Sequence, residues 1–156
     1  MPDVTILRPT FSLEEAVELA RDLYNLNTTA RELPSERDQN FHLAAADGQQ
    51  YILKIAGLTE SLETLELENA LMTHLNRQSF DAAQDKPPIS NLIPKLVLAT
   101  TNKPFTHVSK NGIRYPVRLI THLPGKLLAH TTPHSPALLP SLGRPLRQID
   151  AALANF

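Results

Sequence analysis

Cysteine is absent from this chain of 156 residues, which excludes disulfides, thiolate metal sites and cysteine nucleophiles. Charge imbalance is also lacking. A formal charge of −1 gives no electrostatic reason to expect nucleic acid or an anionic membrane as partner. No apolar run approaches the roughly 20 residues needed to span a bilayer. The opening MPDVTILRPT has none of the basic-then-apolar pattern of a signal peptide. These absences point to a cytoplasmic protein. Glycine is scarce, with five residues against thirteen prolines. Pro124, Pro133, Pro136, Pro140 and Pro145 crowd into the last third, which is expected to be loop-rich or to hold a kinked helix.

What is present is an ordinary globular composition, 42% apolar and 20% charged. The length accommodates one full core, or a small lobe plus part of another. Ser12 and Glu15 form a capping-box pattern ahead of a helix to Tyr24, with Leu13, Ala16, Val17, Ala20, Leu23 and Tyr24 on one stripe. Thr28 to Leu33 reads as a strand, and Pro34 to Gln39 as a polar loop. Asn40 to Ala46 and Gln49 to Ile55 flank Asp47-Gly48, a strong hairpin signal. In the second of these strands Tyr51, Leu53 and Ile55 point one way, Ile52 and Lys54 the other.

A lysine among apolar positions of a central strand needs a partner or a cleft. The next helix is expected to begin at Gly57 and Thr59 and run to about Leu75. Leu62, Leu65, Leu71, Met72 and Leu75 form its apolar side, and the spacing places Glu68 within that stripe. A buried Lys54–Glu68 ion pair satisfies both charges, whether the pair is structural or functional. Residues 78–90 read as a polar, Pro-Pro-terminated insertion, disordered by default. Leu92 to Thr101, Phe105 to Ser109 and Ile113 to Ile120 look like strands, the last two joined by an Asn111-Gly112 turn. Ser135 and Pro136 are suited to start a terminal helix, with Leu138, Leu139, Leu142, Leu146, Ile149 and Leu153 on its apolar face and a kink at Pro145. His122, His130 and His134 match no standard zinc spacing.

Taken in order, LPSERDQNF, YILKI, LELENALMTHL, VRLITHLPGKLLA and LGRPLRQIDAAL resemble the amino-terminal half of the aminoglycoside phosphotransferase, or choline-kinase-like, family. The first string is closest to the hydroxylysine kinase branch. The resemblance covers about residues 5 to 155 apart from the insertion. It implies an α+β fold: a kinase-like amino-terminal lobe over residues 1–123, with a five-stranded, mostly antiparallel sheet and one crossing helix. Residues 124–156 would be the hinge exit and first helix of a second lobe.

The same resemblance implies a nucleotide site. Lys54 would contact the phosphates and Glu68 would orient it. Ser35, Arg37, Asp38 and Asn40 would belong to the loop over the phosphates. Ile52 would line the base pocket, and Thr121, His122 and Leu123 would form the hinge that pairs with the base edge. The implied cofactor is ATP or GTP with Mg2+, and the implied acceptor a small hydroxylated amine such as hydroxylysine. The family's catalytic and metal-binding aspartates have no counterpart here, since only Asp150 follows the hinge and it lies in a helical pattern. The chain alone is therefore expected to bind nucleotide without catalysis, with no catalytic and no metal-ligating residue of its own. The competing reading is a non-catalytic nucleotide- or protein-binding fragment. In either case the 136–154 helix is expected to self-associate or to dock on a second chain.

Overall fold

A computed structural model describes residues 8–77 and 92–156, so the 78–90 insertion lies outside the described residues. The chain divides into two compact units, Met1–Asn69 with Leu96–His122, and Ala70–Lys95 with Leu123–Phe156. Among the described residues no helix is long and apolar enough to cross a membrane.

The first unit is built on a sheet whose strands are β1 (Thr28–Leu33), β2 (Gln39–Ala45), β3 (Gln50–Ile55), β4 (Leu96–Val97), β5 (Thr106–Lys110) and β6 (Ile113–Thr121). The order is β1-β2-β3-β6-β4, with β5 also on β6, and every pairing is antiparallel. Six strands replace the expected five because β6 is long. One of its edges pairs with β3, while β5 takes residues 113–117 and β4 takes residues 119–120. Only Leu96 and Val97 of the expected Leu92–Thr101 strand are in the ladder.

Alternation makes the two faces unlike. Phe41, Leu43, Tyr51, Leu53, Ile55, Tyr115, Val117 and Leu119 point to one face and are buried. There they form a core with Phe11 and with Ala16, Ala20 and Tyr24 of helix α1 (Leu13–Tyr24). Helix α1 carries the expected capping box: the Ser12 hydroxyl accepts from the Glu15 N–H, and the Glu15 carboxylate accepts from the Ser12 N–H.

Two turns set the strand registers. Asn111 and Gly112 both have positive φ, 53° and 77°, as a two-residue I′ turn requires. At the other hairpin Gly48 alone is left-handed, φ 85°, while its N–H donates to Ala45 O at 3.0 Å. Asp47 instead uses its carboxylate to accept from the Gln49 N–H at 2.9 Å.

Helix α2 (Leu62–Arg77) starts later than Gly57–Thr59 because Ser61 supplies the cap, its hydroxyl accepting from the Thr64 N–H at 3.1 Å. Gly57 has a different task. A Cβ there would lie 2.5 Å from the Arg37 carbonyl oxygen, so only glycine admits this close approach of the 34–38 loop.

In the second unit, His74 of α2 hydrogen-bonds Ala152 O at 2.9 Å and meets the Phe156 ring edge-on. Ala152 lies in α3 (Leu138–Leu153), which runs through Pro145 as one continuous helix. It starts at Leu138, with no side-chain cap from Ser135, whose carbonyl accepts the Leu138 N–H.

Candidate functional site

Register brings the polar residues together. Asn40 of β2 is paired with Lys54 of β3, and Lys54 with Arg118 of β6, so the three form a row across the face opposite the core. His42, Ile52 and Ile120 make the next row on that face. Lys54, Asp38 and Arg118, with Ala56, Leu65 and Phe105, line a shallow cleft.

The ion pairs differ from the expected wiring. Glu68 does not meet Lys54. Its carboxylate is taken by the Arg118 guanidinium, whose other terminal nitrogen donates to Asn69 Oδ1 at 3.0 Å. Lys54 Nζ faces Asp38 Oδ2 at 4.0 Å. The expected pairing failed because the buried stripe of α2 passes through Leu65 and Asn69, not through Glu68, whose side chain is 49% exposed. Arg118 is only 7% exposed, so its charge has the stronger need for a carboxylate. The signal for Arg118 was present in the alternation of RYPVRLIT, which puts it on the Lys54 face. What the sequence does not contain is the strand pairing that sets it beside Lys54.

The 34–38 loop is held at several points. Asp38 Oδ1 accepts from the Gly57 N–H at 3.0 Å, and the Asp38 carbonyl accepts from Arg8 Nε at 3.0 Å. Arg8 also pairs with Glu32 at 2.7 Å. The buried Gln39 amide exchanges two hydrogen bonds with the Phe11 backbone, donating to its carbonyl at 2.9 Å and accepting from its N–H at 2.7 Å. Sequence reading missed both Gln39 and Arg8, since each acts through backbone distant in the chain.

The other candidate residues lie in the 34–38 loop, on β2 and β3, and at or just past the end of β6. Ser35 is half-buried in the loop and Arg37 is exposed. The Asn40 carbonyl oxygen Oδ1 is buried without a hydrogen-bond partner. Thr121 closes β6, the His122 N–H donates to Gln50 O at 2.9 Å, and Leu123 follows, exposed. The His122 ring stands edge-on to His42, centroids 4.9 Å apart. Burial, then the nearby His42 and Arg31, hold the His122 imidazole below its ordinary pKa, so it favours the neutral form.

Two cations in register, one of them loosely partnered, fit a polyanionic ligand. Among the described residues no group of three or more His, Cys, Asp or Glu side chains is placed to hold a metal ion.

This chain is similar to proteins of the phosphotransferase enzyme family. The sequence profile of the phosphotransferase enzyme family matches residues 29–156. Hydroxylysine kinase of Danio rerio is 29% identical over 152 residues, covering 96% of this chain and 41% of the relative. Hydroxylysine kinase of Bos taurus is 30% identical over 162 residues, covering 97% and 41%. The chain thus spans 41% of the length of these curated relatives. Among solved structures, amicoumacin kinase hAmiN in complex with AMP-PNP, Ca2+ and Ami shares the fold, with a TM-score of 0.55 over 74% of this chain and 32% of that one, at 17% identity.

Proposed function

The chain belongs to the phosphotransferase enzyme family, and from that premise we propose that it is the nucleotide-binding part of a small-molecule kinase. The reaction would move the terminal phosphate of ATP or GTP to a hydroxylated amine, with hydroxylysine the leading acceptor. The observation that carries the reading is Lys54, on the open face of the sheet, in register with Asn40 and Arg118 and bordered by the anchored 34–38 loop. In this reading Lys54 holds phosphate oxygens, and the polar loop 35–40 covers them. Ile52 lies against the base, and the backbone of Thr121 to Leu123 pairs with the base edge.

Magnesium, when bound with the nucleotide, would neutralise charge developing on the transferred phosphoryl group. Between Leu123 and Phe156 the sole carboxylate is Asp150, on α3. The 156-residue polypeptide therefore binds nucleotide in this reading without orienting an acceptor hydroxyl. A second reading, a non-catalytic protein-binding chain, is favoured by the exposed leucines of α3.

Calorimetric titration of the polypeptide with Mg·ATP and Mg·GTP tests the proposal. Binding is expected for at least one nucleotide and should weaken by roughly ten-fold or more in Lys54→Met, a loss of about 1.4 kcal/mol. A coupled assay with hydroxylysine should show no turnover by the polypeptide alone. Failure to bind either nucleotide at millimolar concentration overturns the reading.

A further inference from the structure

We propose that His42 is a positioning residue for the nucleotide base. With Gln50 it clasps His122 and fixes the backbone at Thr121 and His122, and the clasp opens when the imidazoles take up protons. The assignment deepens the kinase reading above and rests on it. Strand pairing assembles the parts. Arg31 of β1 lies across from His42 of β2, and His42 across from Ile52 of β3, on the open face of the sheet. Thr121, at the end of β6, is opposite Tyr51, so His122 falls beside Gln50 at the start of β3. Gln50 is engaged twice. Its carbonyl accepts the His122 N–H at 2.9 Å, and its side-chain Oε1 accepts from His42 Nε2 at 3.1 Å. The two imidazoles close the triangle edge-on, with centroids 4.9 Å apart and planes at 88°. The His42 ring thus steadies the His122 side chain, while Gln50 holds both that ring and the His122 backbone.

The clasp suits neutral rings. His122 is faced by His42 from β2 and Arg31 from β1, His42 by His122 and Arg31, and the Gln50 amide on β3 carries no charge. A proton on either imidazole therefore adds a cation beside the Arg31 guanidinium, where like charges repel. Burial first, then His42 and Arg31, favours the neutral His122 ring. A histidine held below its ordinary pKa of about 6.5 leaves the folded arrangement intact above that pH. It weakens the arrangement as the pH falls through that value toward the depressed one. Acidification should thus release the His122 ring and loosen the backbone that meets the base edge.

Mg·ATP titration of the 156-residue polypeptide and of its His42→Ala and His42→Phe variants, at about pH 8 and about pH 5.5, tests the assignment. The ligand's own phosphate titration is common to parent and variant, so it cancels in the ratio of their affinities. At the higher pH the parent is expected to bind about five-fold or more tightly than His42→Ala, and at the lower pH the two should agree within about two-fold. General loosening of the fold would weaken the variant at both. His42→Phe restores a ring edge and should recover part of the loss at the higher pH. Hydrogen exchange at the His122 amide gives a readout without nucleotide. Its protection, relative to the amides of β2, should fall on acidification in the parent, and unchanged protection would overturn the assignment. If His42→Ala does not fold, His42→Phe decides alone: an affinity ratio to the parent that changes with pH supports the clasp, and a constant ratio overturns it. Nucleotide binding with a constant ratio in His42→Ala likewise overturns the clasp and leaves the kinase reading intact. A parent polypeptide that binds no nucleotide at the higher pH overturns both.

Discussion

Arg118 shows how a single charged residue is carried on a central strand. Its guanidinium is covered by Glu68 and Asn69, so the cost of removing it from water is offset by a carboxylate and an amide oxygen. Lys54, three-quarters covered, makes a longer and wetter contact with Asp38. The two pairs should therefore differ in what they contribute to stability. Glu68→Ala is expected to cost about 2 kcal/mol, less than the roughly 3–5 kcal/mol of a fully enclosed pair because water reaches the Glu68 side. Lys54→Ala should cost less than about 1 kcal/mol. Urea denaturation of the two variants gives the comparison, and a reversed order would show that Lys54 is the structural member.

At the scale of elements, the 34–38 loop is held by contacts that are mostly backbone. Gly57 sits where the chain leaves β3, and its missing side chain lets the Arg37 carbonyl approach while its N–H binds Asp38. Gly57→Ala would force a methyl against backbone that cannot give way like a flexible side chain. The expected cost is about 1–3 kcal/mol, as for other overpacked sites. The loop would be displaced from the cleft, so weakened nucleotide binding should accompany the lower stability. Hydrogen exchange at the Gly57 amide is the direct readout: faster exchange is expected in the variant, and an unchanged rate would show that the loop absorbs the methyl.

At the scale of the whole polypeptide, α3 presents an exposed apolar face. Leu139 and Leu146, seven residues apart and on one stripe of the helix, are 74% and 64% exposed. Leu138, Leu142, Ile149 and Leu153 are only half-buried. Each such side chain is stabilised by about 1.5–3 kcal/mol when fully buried, and on that ground we expect association through this face. The purified 156-residue polypeptide is expected to self-associate through α3 at micromolar concentration, and Leu139→Glu with Leu146→Glu to return it to a monomer. Light scattering distinguishes the two states. A parent polypeptide that scatters as a stable monomer with α3 folded would refute the expectation.

Much of the architecture was written in short stretches of sequence. The Ser12–Glu15 box, the Asn111-Gly112 turn, and the alternation of FHL, YILKI and YPVRL act over a few residues, and each reads the same in the folded chain. Those signals determined the first helix, the antiparallel hairpins and the face on which Lys54 lies. Burial along α2 was less legible, because a helix whose apolar and polar residues are interspersed does not declare which side meets the sheet. Tertiary structure made that choice, covering Leu65 and Asn69 and leaving Glu68 half in water. It also decided the partners of the charges. Lys54 stands beside Arg118 only because β3 pairs with β6, and Asp38 reaches Lys54 only because Arg8 and Gly57 hold its loop. An ion pair depends on distance in space and on how much water is displaced, and both are set by contacts between segments far apart in the chain.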